Sequence, residues 1–293
     1  MINIAEKKAD IVSKGSTGYE LLDFGEFQKL EKIGPYTFIR PDVNARGKKQ
    51  KEELWTNYDI KYSEDINGWE FQNKVPEKFQ INLDICKALI KIHDFKNIGV
   101  FFEQSENWNL LKKAVETEDS SKTTRFINLF GYTGIASIAA CQSNAETTHV
   151  DSSKPACAWM KENLEINRIN TGCRVINEDC TTFVEKETKR GNKYNIIFAD
   201  PPAFGRSDKG VWKLSKDLPE FMNKLGNIIA DDFKLILVNI YAKDMDYNVA
   251  VKEIAENLNS LNGNLTCGNI LQRSSFGKVL VSGFYIKITP VEV

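Results

Sequence analysis

Asp200-Pro201-Pro202-Ala203-Phe204 follows an apolar run and offers a carboxylate, two prolines and an aromatic ring in five residues. The prolines fix φ and have no N–H to donate, so the segment is stiff and its carbonyls point outward. Asp200 could hold or deprotonate a group on a substrate. Phe204 could stack on a planar base. These make Asp200, Pro201, Pro202 and Phe204 the candidate catalytic group. Upstream, Asn128-Leu129-Phe130-Gly131-Tyr132-Thr133-Gly134 ends another apolar run on two glycines. Such a turn lets the backbone approach a ligand and leads into a helix whose first N–H groups favour an anion. It also fits an ordinary strand-to-helix turn. Asp151 stands about 20 residues further on, where an acid can accept from both hydroxyls of a ribose. Followed by Ser152, Ser153 and Lys154-Pro155, it also reads as a helix cap, and the two roles are compatible. Asp179 could accept from an exocyclic amine of a purine, or be a plain loop carboxylate.

These residues need a common edge. From about Arg125 the chain alternates short apolar runs with helical patterns. Strands are expected at 126–130, 147–151, 174–177, 194–200 and 233–239, with helices at 135–141 and 156–167. Continuous apolar strands separated by helices signal a parallel sheet covered on both faces. The four chemical segments then fall at the ends of successive strands, where open α/β sheets bind ligands. The tail changes character, with expected strands at 265–271 and 279–288 around a loop holding Gly277. Before residue 43 the pattern suggests short antiparallel strands with turns at Gly25 and Gly34-Pro35. The middle is mixed, with a basic loop from Arg46 to Lys51. That loop suits phosphate contact or plain solvation.

Composition narrows the classes. The 293 residues carry a net charge of −1 and are 42% hydrophobic and 27% charged, as in an ordinary globular protein. The near-neutral charge means that any nucleic-acid contact must come from a local patch. Two histidines and six cysteines without a C-x-x-C pair argue against a metal centre. The scattered cysteines suit a reducing compartment. No secretory signal or apolar span is legible, so a cytoplasmic, non-membrane location is expected.

The segments together resemble the class I S-adenosylmethionine (SAM)-dependent RNA methyltransferases, in the branch of the bacterial 23S rRNA cytosine-C5 and guanine-N7 enzymes. Asn128 to Gly134 is similar to that branch's cofactor motif, Thr148-His149-Val150-Asp151 to its ribose-binding segment and Glu178-Asp179-Cys180 to its adenine-side acid. Asp200 to Arg206 is similar to its substrate motif, and Val211-Trp212-Lys213-Leu214 with Asp217-Leu218-Pro219 continues the likeness. Gly99-Val100-Phe101-Phe102-Glu103-Gln104 resembles the segment that borders the cofactor. The resemblance implies a Rossmann-like α/β sheet, parallel strands closed by an antiparallel C-terminal pair, with a small N-terminal β-rich region. It divides the chain into a substrate-side region, 1–98, and a catalytic domain, 99–293. It implies SAM held by Asn128, Phe130, Gly131, Tyr132, Gly134, Asp151, Asp179 and Glu103. Arg206, Lys209, Asn239 and Tyr241 become substrate candidates.

Two departures qualify the substrate. C5 methylation of cytosine needs a thiolate to attack C6, yet Val238-Asn239-Ile240-Tyr241-Ala242, where the C5 enzymes carry it, has no cysteine. Attack by a base nitrogen lone pair fits better. Ala203 also stands where relatives often carry a basic residue. A protein or small-molecule methyltransferase remains as the alternative. A nicotinamide-dependent oxidoreductase lacks the full G-x-G-x-x-G spacing, and a non-catalytic RNA-binding relative has no need of the D-P-P-x-F segment.

Overall fold

The computed structural model describes residues 2–5, 8–116, 123–207, 210–241 and 245–291. Short strands β1 (Ile2–Ile4) and β2 (Ile11–Ser13) come first. Then follow β3 (Tyr19–Gly25), β4 (Gln28–Ile33), β5 (Tyr36–Pro41), β6 (Ile60–Ser63), β7 (Gly68–Phe71), β8 (Lys78–Asn82) and β9 (Lys87–Lys91). Helix α1 (Ser105–Val115) leads to β10 (Arg125–Leu129), α2 (Ile135–Gln142), β11 (Glu146–Asp151), α3 (Lys154–Ile166), β12 (Cys173–Asn177) and α4 (Cys180–Arg190). Next are β13 (Ile196–Ala199), β14 (Phe204–Ser207), β15 (Gly210–Lys213), α5 (Leu214–Gly226), β16 (Leu235–Ile240) and α6 (Tyr247–Asn257). Strands β17 (Gly263–Arg273) and β18 (Val279–Pro290) finish the chain.

The chain forms two compact units. The first comprises Met1–Asp10, Trp108–Asn269 and Gly283–Val293. Its sheet runs β1-β17-β18-β16-β13-β10-β11-β12. Strands β12, β11, β10, β13 and β16 are mutually parallel, and β18 runs antiparallel to β16. The parallel centre is apolar because helices cover both faces. Every residue of β13 and β16 is buried. Helix starts follow local capping chemistry. The Ser153 hydroxyl accepts from Ala156 N at 3.3 Å ahead of α3, Asp179 accepts from Thr182 N at 2.9 Å ahead of α4, and Asp246 caps α6. Gly191, at φ 69°, closes α4 in the left-handed conformation that suits glycine.

Two features depart from the expected layout. Residues 2–4 join the sheet by pairing in parallel with Gly263–Leu265. The division at residue 98 thereby becomes an interleaved one. A three-residue strand carries no readable period, and its partner lies at the other end of the chain. The substrate motif continues into a hairpin, β14 with β15, with Phe204 opposite Lys213. No helix among the described residues is long and apolar enough to cross a membrane.

The second unit, Ile11–Asn107 with Ile270–Ser282, holds a five-stranded sheet β3-β4-β5-β6-β7 and the hairpin β8-β9. The first turn falls at Glu26-Phe27, one residue later than expected. Gly25 instead ends β3 as a site of close approach, since an added Cβ would meet Lys49 N at 2.5 Å and Lys48 C at 2.6 Å. The basic loop is thus packed down. The buried Asp23 carboxylate accepts from Gln50 N at 2.8 Å, Lys51 N at 3.1 Å and Trp55 Nε1 at 3.1 Å. A charge cluster lies inside this unit. Fully buried Glu31 accepts from Arg40 Nε at 2.8 Å, Arg40 Nη2 at 3.0 Å and Tyr19 Oη at 2.9 Å. Although burial raises the carboxyl, Arg40, Lys29 and those hydrogen bonds outweigh it and hold Glu31 at about 2. Replacing Arg40 by alanine leaves a buried carboxylate with Lys29 at 3.5 Å as its remaining cation. Denaturant unfolding of Arg40→Ala is expected to show a loss of about 3 kcal/mol.

Candidate active site

Register places the chemical residues. Leu129 pairs with Val150 and with Ala199, Ala199 with Val238, and Val150 with Ile176. One residue beyond this row, at the carboxyl edge, come Phe130, Asp151, Asp200, Asn239 and Asn177. Parallel pairing thereby brings three of the sequence-predicted segments, and Asn239, to one edge.

The turn after β10 is bent by three left-handed residues, Phe130 at φ 58°, Tyr132 at φ 50° and Gly134 at φ 84°. Only Gly134 adopts this freely; the other two cost of order 1–2 kcal/mol each. Hydrogen bonds hold them. Phe130 N donates to Cys180 Sγ at 3.1 Å and Tyr132 N to Asp151 Oδ2 at 2.8 Å. Gly134 must lack a Cβ for a second reason, since one would drive into the Met160 thioether. Gly131 lies against the His149 imidazole. Beneath the turn, Asn128 Nδ2 donates to Ser137 Oγ at 2.9 Å, and Ser137 Oγ sits 3.1 Å from His149 Nδ1. Asn128 is 1% exposed, so its side chain braces the turn from below. Ser137 and His149 were not singled out from sequence; the available signal was a hydroxyl on the apolar α2 and one of the chain's two histidines within β11.

Asp151 is half-buried. Burial holds its carboxyl above the usual range, and the N–H groups of Ser153 and Tyr132 offset only part of that rise. Ser153 N donates to Oδ1 at 2.8 Å, so the local cap and the tie to the glycine turn coexist. Asp179 is the N-cap of α4 and also lines a cleft of about 240 Å³ with Thr182, Trp212, Asp217 and Phe221. The Phe130 ring faces this aromatic group, 5.3 Å from Trp212 and 5.5 Å from Phe221.

The diproline segment is tied through main-chain atoms. Asp200 N donates to Leu129 O at 3.2 Å and Leu214 N to Ala203 O at 3.0 Å. Trp212 Nε1 donates to Pro202 O at 2.7 Å. Phe204 is 50% exposed. Asn239 is buried and opposite Tyr285, while Tyr241 is half-buried against Gly283. Glu103 belongs to the second unit. There its carbonyl accepts from the Ser13 hydroxyl, and burial pushes its carboxyl upward. The Arg206 side chain and the whole of Lys209 lie outside the described residues.

This arrangement suits a nucleoside carrying polar arms. The kinked turn is held against Asp151, Asp151 offers an acceptor, and the cleft beside Asp179 offers apolar and aromatic walls. Cys180 is a poor nucleophile, because burial pushes its thiol far up and its sulfur is engaged by Phe130 N.

Comparisons with known proteins bear on the fold and the family. The family model described as "Conserved hypothetical protein 95" matches residues 104–226. The crystal structure of the SAM-dependent methyltransferase from Agrobacterium tumefaciens is 31% identical, with a TM-score of 0.92, and the match covers 98% of this chain and 95% of that one. A solved chain from Streptococcus mutans, 19% identical with a TM-score of 0.74 over 94% of this chain and 76% of its own, shares the fold. The ribosomal RNA large subunit methyltransferase K/L of Pseudoalteromonas translucida is 31% identical over 158 residues, 53% of this chain and 21% of that protein. The chain therefore spans about a fifth of the curated relative it matches.

Gly134→Ala is expected to lower unfolding free energy by about 3 kcal/mol, combining a left-handed alanine with the Met160 collision, as read by denaturant titration. His149 gives a pH signature. Burial lowers it from 6.5 to about 4, so between those values the unfolded chain binds the extra proton. Stability should fall as pH drops through this window, by up to about 3 kcal/mol. His149→Gln should flatten the slope in chemical melts at pH 6.5, 5 and 4.

Proposed function

The chain belongs to the class I SAM-dependent methyltransferases, and from that premise we propose that it transfers a methyl group from SAM to a nitrogen of an RNA base, in ribosomal RNA, in the cytoplasm. The observation that carries this is the single register row with Phe130, Asp151, Asp200 and Asn239 beyond it, between the glycine turn and the diproline segment. The family's cofactor brings a sulfonium-activated methyl group, so little acid–base or metal chemistry is required of the protein.

The residues present fit that cofactor. In this reading the cofactor's carboxylate and amine arm lies along the turn Phe130–Gly134. Asp151 accepts the ribose hydroxyls on lone pairs not used by Tyr132 and Ser153. Asp179 and the cleft wall at Phe221 receive the adenine. On the acceptor side, Asp200 and the Pro201-Pro202 carbonyls take hydrogen bonds from the base's amine or ring N–H. Asp200 relieves the nitrogen of its proton as the lone pair is committed. Exposed Phe204 stacks on the base plane. Asn239 and Tyr241 complete the orientation. Nitrogen attack is favoured over C5 chemistry because Cys180 is buried and engaged, and no cysteine stands at 238–241.

The test is incubation with methyl-labelled SAM, ribosomal RNA and protein extract, followed by nucleoside mass spectrometry. Label in an N-methylated base supports the proposal. Label only in protein moves the acceptor to the alternative class. Label at cytosine C5 overturns the nitrogen assignment. Asp151→Ala should weaken S-adenosylhomocysteine (SAH) binding at least 100-fold by titration calorimetry; unchanged binding would remove Asp151 from the ribose role.

A further inference from the structure

Pro201 and Pro202 have no N–H, so the stretch between Asp200 N and Ala203 N has no backbone donor of its own. Whatever holds it must reach its carbonyls. The Pro202 carbonyl accepts from the indole N–H of Trp212 at 2.7 Å, and the Ala203 carbonyl from Leu214 N at 3.0 Å. Both donors sit at the junction of β15 and α5. The same indole ring lies 5.3 Å from Phe130 and 5.6 Å, edge-on, from Phe221. Phe130 is the first left-handed residue of the glycine turn. Trp212 therefore touches both halves of the candidate site, one by a hydrogen bond and one by ring packing. A further bond anchors the junction: Lys213 N donates to Asp217 Oδ2 at 2.7 Å.

We propose that Trp212 is a positioning residue, which fixes the distance between the substrate motif and the cofactor turn by joining the Pro202 carbonyl to Phe130. This rests on the methyl-transfer reading above. In-line transfer is sensitive to spacing, and a displacement of about 1 Å can cost about 100-fold in rate. An indole can serve both tasks together, since its N–H is a donor and its face is apolar. The two tasks are separable by substitution. Trp212→Phe keeps a ring beside Phe130 and removes the donor. Trp212→Ala removes both.

The experiment measures SAH affinity and stoichiometry by calorimetry, then kcat and KM with the methyl acceptor identified in the labelling assay, scaled to SAH-binding sites. Trp212→Phe is expected to bind SAH within about threefold of wild type while kcat falls about tenfold or more. Trp212→Ala is expected to weaken SAH binding about tenfold as well. A general structural role would reduce the fraction of sites and leave kcat per site unchanged. That outcome, or kcat per site within twofold in Trp212→Phe, overturns the proposal. If Trp212→Phe does not fold, hydrogen exchange at the Trp212 indole N–H of wild type decides, assigned with Trp212→Tyr. Slow exchange that slows further with SAH supports the bond; exchange at the free-indole rate overturns it. Wild type that binds SAH but methylates protein and no RNA refutes the RNA reading, and leaves the Trp212 comparison measurable on that acceptor.

Discussion

The Asp151 carboxylate and carbonyl tie four chain segments together. The side chain accepts from Tyr132 N at 2.8 Å and Ser153 N at 2.8 Å. The main-chain oxygen accepts from Asn177 Nδ2 at 3.0 Å and Glu178 N at 3.1 Å. These join the glycine turn, the start of α3 and the end of β12 to the end of β11. The turn needs this support, because two non-glycine residues in the left-handed region together cost a few kcal/mol. A hydrogen bond from Tyr132 N to an ionised carboxylate recovers about 1.5–3 kcal/mol of that. The dependence is mutual. Burial raises Asp151 on balance, and the two N–H groups, which favour its charged form, limit the rise. The acid holds the turn in shape, and the turn's N–H favours the acid's charged form against burial.

Parallel pairing then spreads that local order across the sheet. Because parallel neighbours share one register, residues at equivalent strand ends must share an edge. Motifs that are far apart in sequence become adjacent without any further interaction. The same geometry decides which thiol is chemically idle. Cys180 follows β12 and turns under Phe130, where its sulfur meets both Phe130 N and Val150 O. A residue that spacing alone leaves as a bystander is thereby a structural partner of the turn.

Strands β13 and β16 were legible because each is a nearly continuous apolar run, which is what two covered faces demand; β11 and β12, which carry Thr147, Thr148, His149 and Arg174, were legible only from their place between helical runs. The C-terminal strand pair was legible from its length and its Gly277 loop. Helix α6 was not singled out, since its eleven residues show only three buried positions. Strands β1, β2, β14 and β15 are three or four residues long, too short for a period to register. In the site, the acids and glycines were legible from type and order. The division of labour around the turn was not. Asn128 sits inside the cofactor-like motif but faces Ser137 in the core, while Phe130, two residues on, faces the aromatic cleft because its left-handed φ takes it off the alternation of β10. Only the pairing partner decides which side of a strand end meets a ligand.

Charge bears on the acceptor in the same way. Asp151, Asp179 and Asp200 make the sheet edge acidic, on a chain whose net charge is −1. An acidic edge suits a sulfonium and the amine or N–H edge of a base, and it repels phosphate. For an RNA acceptor, only the base can approach this row, with its sugar–phosphate chain held away from the three carboxylates. A base stacked within a duplex cannot meet that condition. One rotated out of its strand can, at a cost of a few kcal/mol that is smallest in unpaired loops. The exposed Phe204 ring beside Asp200 offers a stacking surface in place of the lost neighbours. On the proposed RNA reading, the acidity that weakens nonspecific binding would therefore select for an unpaired base presented edge-on to Asp200.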